Sequence, residues 1–172
     1  TYDRTLLPLE PHAGTVLTRL QQGKPVIVHG DGTSLWVLTH NEDFAVGLVG
    51  LLGHPAARGE AFHITSDEAQ PWNQIYESVA SALGVQARLV HVPSAVIARH
   101  DPRWGAGLLG DTAHSVIFDN TKIRRLVPHF SPRIPFRRGA SEIVAFFQSH
   151  PERLAGDPEF DALMDRLAAT YG

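Results

Sequence analysis

The chain has 172 residues, 43% of them hydrophobic and 19% charged, with a net charge of -3 and no cysteine. That length and balance fit one ordinary globular domain with its own core. They exclude disulfides, thiolate zinc sites, and a basic footprint for nucleic acid or anionic lipid.

Pro8 and Pro11 lie ahead of a short helix over residues 15–21, with Val16, Leu17 and Leu20 facing inward and Gly23-Lys24 closing it. Residues 25–28 and 35–39 are β-rich runs flanking Gly30-Asp31-Gly32, a pattern that predicts a hairpin. Asn41 is placed as an N-cap, Glu42 and Asp43 suit a first helical turn, and Phe44, Leu48, Leu51 and Leu52 repeat with helical spacing. Gly53 reads as the stop of that helix, with Pro55 beyond it. A strand is expected over residues 61–65. A helix over 72–83 follows, with Pro71 at its first position and Ile75, Val79 and Leu83 on one face, and Gly84 ends it. Residues 87–92 make a further extended run, and Ser94 caps a short helix that ends before Pro102. Residues 101–115 are glycine-rich, carry Trp104 and predict an irregular loop. Ile143, Val144, Phe146 and Phe147 mark another packed helix. Asp157-Pro158 opens the last one, with Phe160, Leu163 and Leu167 on its apolar stripe. No apolar run approaches the ~20 residues of a membrane span. The absence of cysteine fits a reducing, cytoplasmic compartment.

Gly47, Gly50 and Gly53 spell G-x-x-G-x-x-G, which invites a dinucleotide-binding loop. Such a loop needs its glycines in the turn between strand and helix, so that backbone N–H groups face the pyrophosphate. Here they fall within a helix that has already begun, and the seven residues HPAARGE between Gly53 and the next strand are too few for a crossover helix. A glycine-bearing packed helix is the better reading.

Several short segments, in order, carry a resemblance. Asp31-Gly32, the run to His40 and then Asp43-Phe44-Ala45 resemble D-G-x-x-x-R-D-F-V-H-V-D-D-V-A of the NAD-dependent epimerase/dehydratases, the extended short-chain dehydrogenases. Residues 59–64 (GEAFHI) resemble that family's G-E-x-Y-N-I strand, and 72–84 (WNQIYESVASALG) the helix after it. Gly110-Asp111, Phe118-Asp119-Asn120-Thr121-Lys122, Leu126 and Pro128 resemble its G-D and D-x-S-K-A-x-x-x-L-G-W-x-P. The resemblance implies hydride exchange with NAD or NADP, using a tyrosine and a lysine four residues after it. Neither Tyr2 nor Tyr76 has that lysine, since Leu6 and Ala80 stand there, and Tyr171 is next to the end. Thr1-Tyr2-Asp3-Arg4 resembles the family's V-Y-G-P segment, and the one methionine, Met164, lies far along the chain.

The resemblance therefore implies the C-terminal, substrate-side half, residues 1–172 as one domain, with the N-terminal NAD(P)-binding domain missing. The expected fold is α/β, a mixed small sheet with a hairpin and packed helices. No catalytic residue, bound cofactor or metal is expected in this chain alone. The expected partners are a small-molecule substrate, the missing half, and a second copy through exposed apolar faces and unpaired strand edges. The other reading is a stand-alone binding or scaffold module that kept the architecture without the chemistry.

Nucleotide-sugar members of the resembled family carry an arginine in the D-G-x-x-x-R segment and another just before the G-D. The aligned residues here are Trp36 and Leu108, and neither an indole nor an isobutyl group replaces a guanidinium–phosphate contact. A less charged, flatter or more apolar substrate is expected. Tyr2, Trp36 and Trp104 are the candidate substrate contacts; Trp36 has cross-strand packing as its plainer role. Arg103 is a candidate relocated cation. The ten histidines show no metal spacing and read as surface or hydrogen-bonded core residues. Asp43 and Asp119 read as caps, and Asp157, Glu159 and Asp161 as partners of a helix dipole.

Overall fold

The computed structural model describes residues 1–9 and 11–172. Helix α1, Ala13–Gln21, buries Val16, Leu17 and Leu20 as the spacing predicts, and Gly23 turns the chain at a φ of +67°. Strand β1, Val26–His29, follows with all four residues buried. A strand covered on both faces is the mark of parallel pairing. Indeed β1 pairs in parallel with β4, Leu89–Val92, from Val26 opposite Leu89 to His29 opposite Val92.

The hairpin is thereby corrected. Strand β2, Leu35–Val37, turns away from β1 and pairs antiparallel with β3, Ala69–Pro71, placing Trp36 opposite Gln70. The reason lies in the turn between them. Gly30 and Gly32 adopt φ values of +62° and +72°, and the Asp31 carboxylate accepts from both the N–H and the hydroxyl of Thr33. Asn73 then clamps this turn, donating its backbone N–H to the Gly32 carbonyl (3.0 Å) and its Nδ2 to the Asp31 carbonyl (3.1 Å). Two small sheets result in place of one mixed sheet.

Helix α2, Asn41–Leu51, is capped by His40 rather than Asn41: the His40 Nδ1 accepts from the Glu42 N–H. Its inward face also differs from the spacing. Asp43 and Gly47 are buried, whereas Leu48, Val49 and Leu52 are exposed, the last two by 66% and 69%. Glycine is what allows the close approach. A Cβ on Gly47 would collide with Ile64, and one on Gly50 with Val127.

Residues 61–64 form neither helix nor strand and belong to no sheet among the described residues. Side chains hold the segment instead. Lys122 donates to the Ala61 carbonyl, and Asn120 both accepts from the Thr65 N–H and donates to its carbonyl. The expected strand at 61–65 lacks a neighbour to pair with, which is why its pattern yields no ladder.

Helix α3, Trp72–Ala82, buries Ile75 and Val79, with Pro71 as its N-cap residue. Helix α4, Ser94–His100, begins at Ser94, which makes no side-chain cap. Residues 101–115 are mostly ordered, against the loop expectation. Asp101 caps α5, Pro102–Gly107, by accepting from the N–H groups of Arg103 and Trp104. One π-helical turn, Leu108–Thr112, continues it. Gly105 serves close packing here, because a Cβ would strike Ala98. Helices α6, Thr121–Leu126, α7, Phe136–Ser149, and α8, Pro158–Tyr171, complete the chain. Asp157 caps α8 through the N–H groups of Glu159 and Phe160.

The apolar residues form two clusters. The larger surrounds β1 and β4 with α1, α3, α4, α7 and α8. The smaller centres on Ile123, Val127 and Phe130, with Leu51, Phe62, Ile64 and Leu126 against it. No helix among the described residues is long and apolar enough to cross a membrane.

Candidate functional site

A cavity of about 370 Å³ opens beside the end of β1. Strand β1 supplies His29, α3 supplies Trp72 and Tyr76, and the segment leading into α1 supplies Pro11 and His12. The far wall is Asp101, Arg103 and Trp104 of α5 with its cap, then Leu108, Asp111 and Thr112 of the π-helical turn. A π turn is a common device where a helix must present groups to a site.

One carbonyl organises the inner wall. The Thr112 oxygen accepts from the Trp72 indole (3.2 Å), the Ser34 hydroxyl (3.2 Å) and the His29 Nε2 (3.0 Å). A carbonyl only accepts, so His29 carries its proton on Nε2 and presents Nδ1 as an acceptor. Burial lowers the His29 pKa below its ordinary value, and the Thr112 hydrogen bond only partly opposes this. The ring is accordingly neutral at pH 7.

Of the three predicted substrate contacts, the structure brings one to this cavity. Trp104 lines it, buried to 6% exposure and edge-on to Phe160. Trp36 sits one ring further out, stacked at a tilt on Trp72 with centroids 5.8 Å apart, and does not reach the cavity wall. Tyr2 is elsewhere. Its ring is buried between His40 and Phe136, and a Cβ on Gly139 would strike it. Its hydroxyl has no hydrogen-bond partner among the described residues. Burial, and then the charges of Glu142, Glu68 and Asp43, raise the Tyr2 pKa, so its phenol keeps its proton. Leu108 is buried in the cavity wall, and Arg103 is exposed at its edge.

His29, Trp72, Tyr76 and Asp101 were not singled out by sequence for a site. The available signals were an apolar strand ending in histidine before Gly30, and Asp101-Pro102, which announces a helix start. Gly47 and Gly50 do not fit a dinucleotide: they lie inside α2, filled over by Ile64, Ile123, Phe130 and Val127. No group of ligating side chains among the described residues is placed to hold a metal.

No family model matches the chain. It is 31% identical over 159 residues to a 2'-dehydrokanamycin reductase of Streptomyces kanamyceticus, across 91% of this chain and 43% of the relative. Among solved structures, an epimerase of Methanothermobacter thermautotrophicus matches with a TM-score of 0.64 at 21% identity, covering 81% of this chain and 37% of its own. UDP-glucose 4-epimerase of Thermotoga maritima, bound to UDP-glucose, matches at 0.61 and 20%, covering 88% and 44%. dTDP-glucose 4,6-dehydratase of Bacillus anthracis, with NAD, matches at 0.59 and 19%, covering 80% and 39%. The chain spans less than half the length of each of these proteins. Sequence likeness to the reductase and fold likeness to the epimerases and the dehydratase together make the chain similar to a portion, less than half, of NAD-dependent epimerases, dehydratases and reductases of this kind.

Proposed function

We propose that this chain is the substrate-binding portion of an NAD(P)-dependent oxidoreductase whose substrate is sugar-like but carries no nucleotide diphosphate. It works with a cofactor-holding N-terminal portion that supplies the tyrosine–lysine pair, and it is inactive without it. The observation that carries this reading is the cavity wall. Leu108 lines it where the resemblance to nucleotide-sugar enzymes implies an arginine, and Trp36, which stands at the other such position, stacks behind Trp72. Trp72, Tyr76 and Trp104 give the cavity flat apolar faces suited to a sugar ring. The 31% identity to a 2'-dehydrokanamycin reductase agrees in reaction type.

Thermal unfolding of the chain with NAD, NADP and UDP-glucose, each in large excess, tests both halves of the proposal. A ligand at about 100 times its dissociation constant adds ~2.7 kcal/mol of stability, so binding is readily seen. No shift is expected. A shift with either dinucleotide would place a cofactor site inside these residues, and one with UDP-glucose would overturn the substrate reading.

The same proposal accounts for the exposed apolar surface. Val49 of α2, Leu52 just beyond its end and Ile117 are exposed apolar residues, the last by 65%. We propose that such apolar surface joins the cofactor-holding portion. In isolation it is expected to drive self-association, because open strand edges and apolar patches seek cover. Light scattering with intact-mass measurement checks this, and a stable monomer of 18.8 kDa would count against it.

A further inference from the structure

The cavity sets three side-chain acceptors, from His29, Asp101 and Asp111, beside its aromatic walls. His29 is 5% exposed, and its Nδ1, left bare by the Nε2 hydrogen bond, has no partner among the described residues. Asp101 spends one carboxylate oxygen on the N–H groups that begin α5, and its other oxygen has no partner among the described residues. Asp111, on the π-helical turn, makes no side-chain hydrogen bond or ion pair among the described residues, although it lines the same wall. Arg103 is the one guanidinium on that wall and is exposed. His29 is the buried acceptor of the three, Asp101 is half-buried and Asp111 exposed, so an occupant that brings donors gains most beside His29 and meets the carboxylates towards the opening.

We propose, on the reading that the cavity takes a sugar-like substrate, that it selects an amine-bearing cationic ring. Ammonium groups of that ring meet the Asp101 and Asp111 carboxylates. The His29 Nδ1 accepts from a neighbouring hydroxyl or amine. The indole faces of Trp72 and Trp104 and the Tyr76 ring attract the same cation and cover the ring's C–H face. The two carboxylates repel a phosphate-bearing ligand, which gives the absent diphosphate a second cause besides Leu108. A cavity of about 370 Å³ is at the small end for ligand sites and suits one or two such rings.

The test is a titration of the isotope-labelled chain, following the indole N–H signals of Trp72 and Trp104 by NMR. The probes are neamine as a cationic aminoglycoside, methyl glucoside as a neutral ring, and UDP-glucose as an anionic one. Neamine is expected to move both signals saturably and more tightly than methyl glucoside. Added salt should weaken it, and Asp101→Asn and Asp111→Asn should each weaken it by about tenfold, the usual worth of a charge-assisted hydrogen bond. Asparagine still caps a helix, so Asp101→Asn keeps α5. If methyl glucoside binds as well as neamine, or both substitutions leave neamine unaffected, charge selection falls while the sugar-site reading stands. If UDP-glucose binds most tightly, or no probe moves the indoles, both fall.

Discussion

Arg19→Ala is expected to cost the fold about 3 kcal/mol or more, the scale of breaking a buried ionic network. The Arg19 side chain is 1% exposed, yet each of its three guanidinium nitrogens donates a hydrogen bond. Nε donates to the Pro25 carbonyl (2.8 Å), Nη1 to the Asp161 carboxylate (2.5 Å) and carbonyl (3.1 Å), and Nη2 to Asp165 (2.7 Å). One side chain thus joins α1, the entry to β1 and the first half of α8. Truncation removes these bonds and leaves a void where a fully buried side chain stood. Urea unfolding midpoints measure the loss. A value below about 1 kcal/mol, the level of an exposed ion pair, would show that the network is incidental. Arg19→Lys keeps the charge without the fork, so it is expected to recover only part of the stability.

The same network sets an acid limit. The Asp161 pKa is held below its ordinary value, first by the Arg19 hydrogen bond and also by Lys24. A carboxyl with a depressed folded pKa contributes its stability in full above the unfolded value of about 4 and loses it as pH falls through the folded value. Stability is therefore expected to decline below about pH 4. Arg19→Ala should flatten that decline, as urea midpoints measured across pH would show.

Phe130→Ala is the second large effect, about 3–5 kcal/mol for a fully buried phenylalanine, but it should act locally. Phe130, at 1% exposure, centres the smaller cluster, which is separate from the one around β1 and β4. Amide hydrogen exchange is expected to accelerate in α2 and α6 first, with protection in β1, β4 and α3 largely kept. Uniform acceleration across both clusters would mean that they unfold as one unit.

Helices with strong stripes were legible from sequence. Val16, Leu17 and Leu20 in α1, and Phe160, Leu163 and Leu167 in α8, face inward as spaced. Strand partners were not, since residues 26–29 and 35–37 find their mates some 30 or more residues onward through contacts that local pattern does not encode. For α2 the hydrophobic stripe misled, because two glycines permit closer packing than leucine does. At the site, Trp104 was legible as an aromatic in a glycine-rich segment. His29 was not, because its importance arises from the Thr112 carbonyl 83 residues away.

The parallel pairing of β1 with β4 has a kinetic consequence. Residues 30–88 lie between those strands, so the central sheet forms only when a long loop closes. Such non-local pairing slows folding, yet the closure entropy grows only with the logarithm of loop length. Shortening the exposed stretch around Gly53–Glu60 by a few residues would thus leave the folding rate almost unchanged. That stretch is where the chain has room to vary in length without retiming the assembly of its centre.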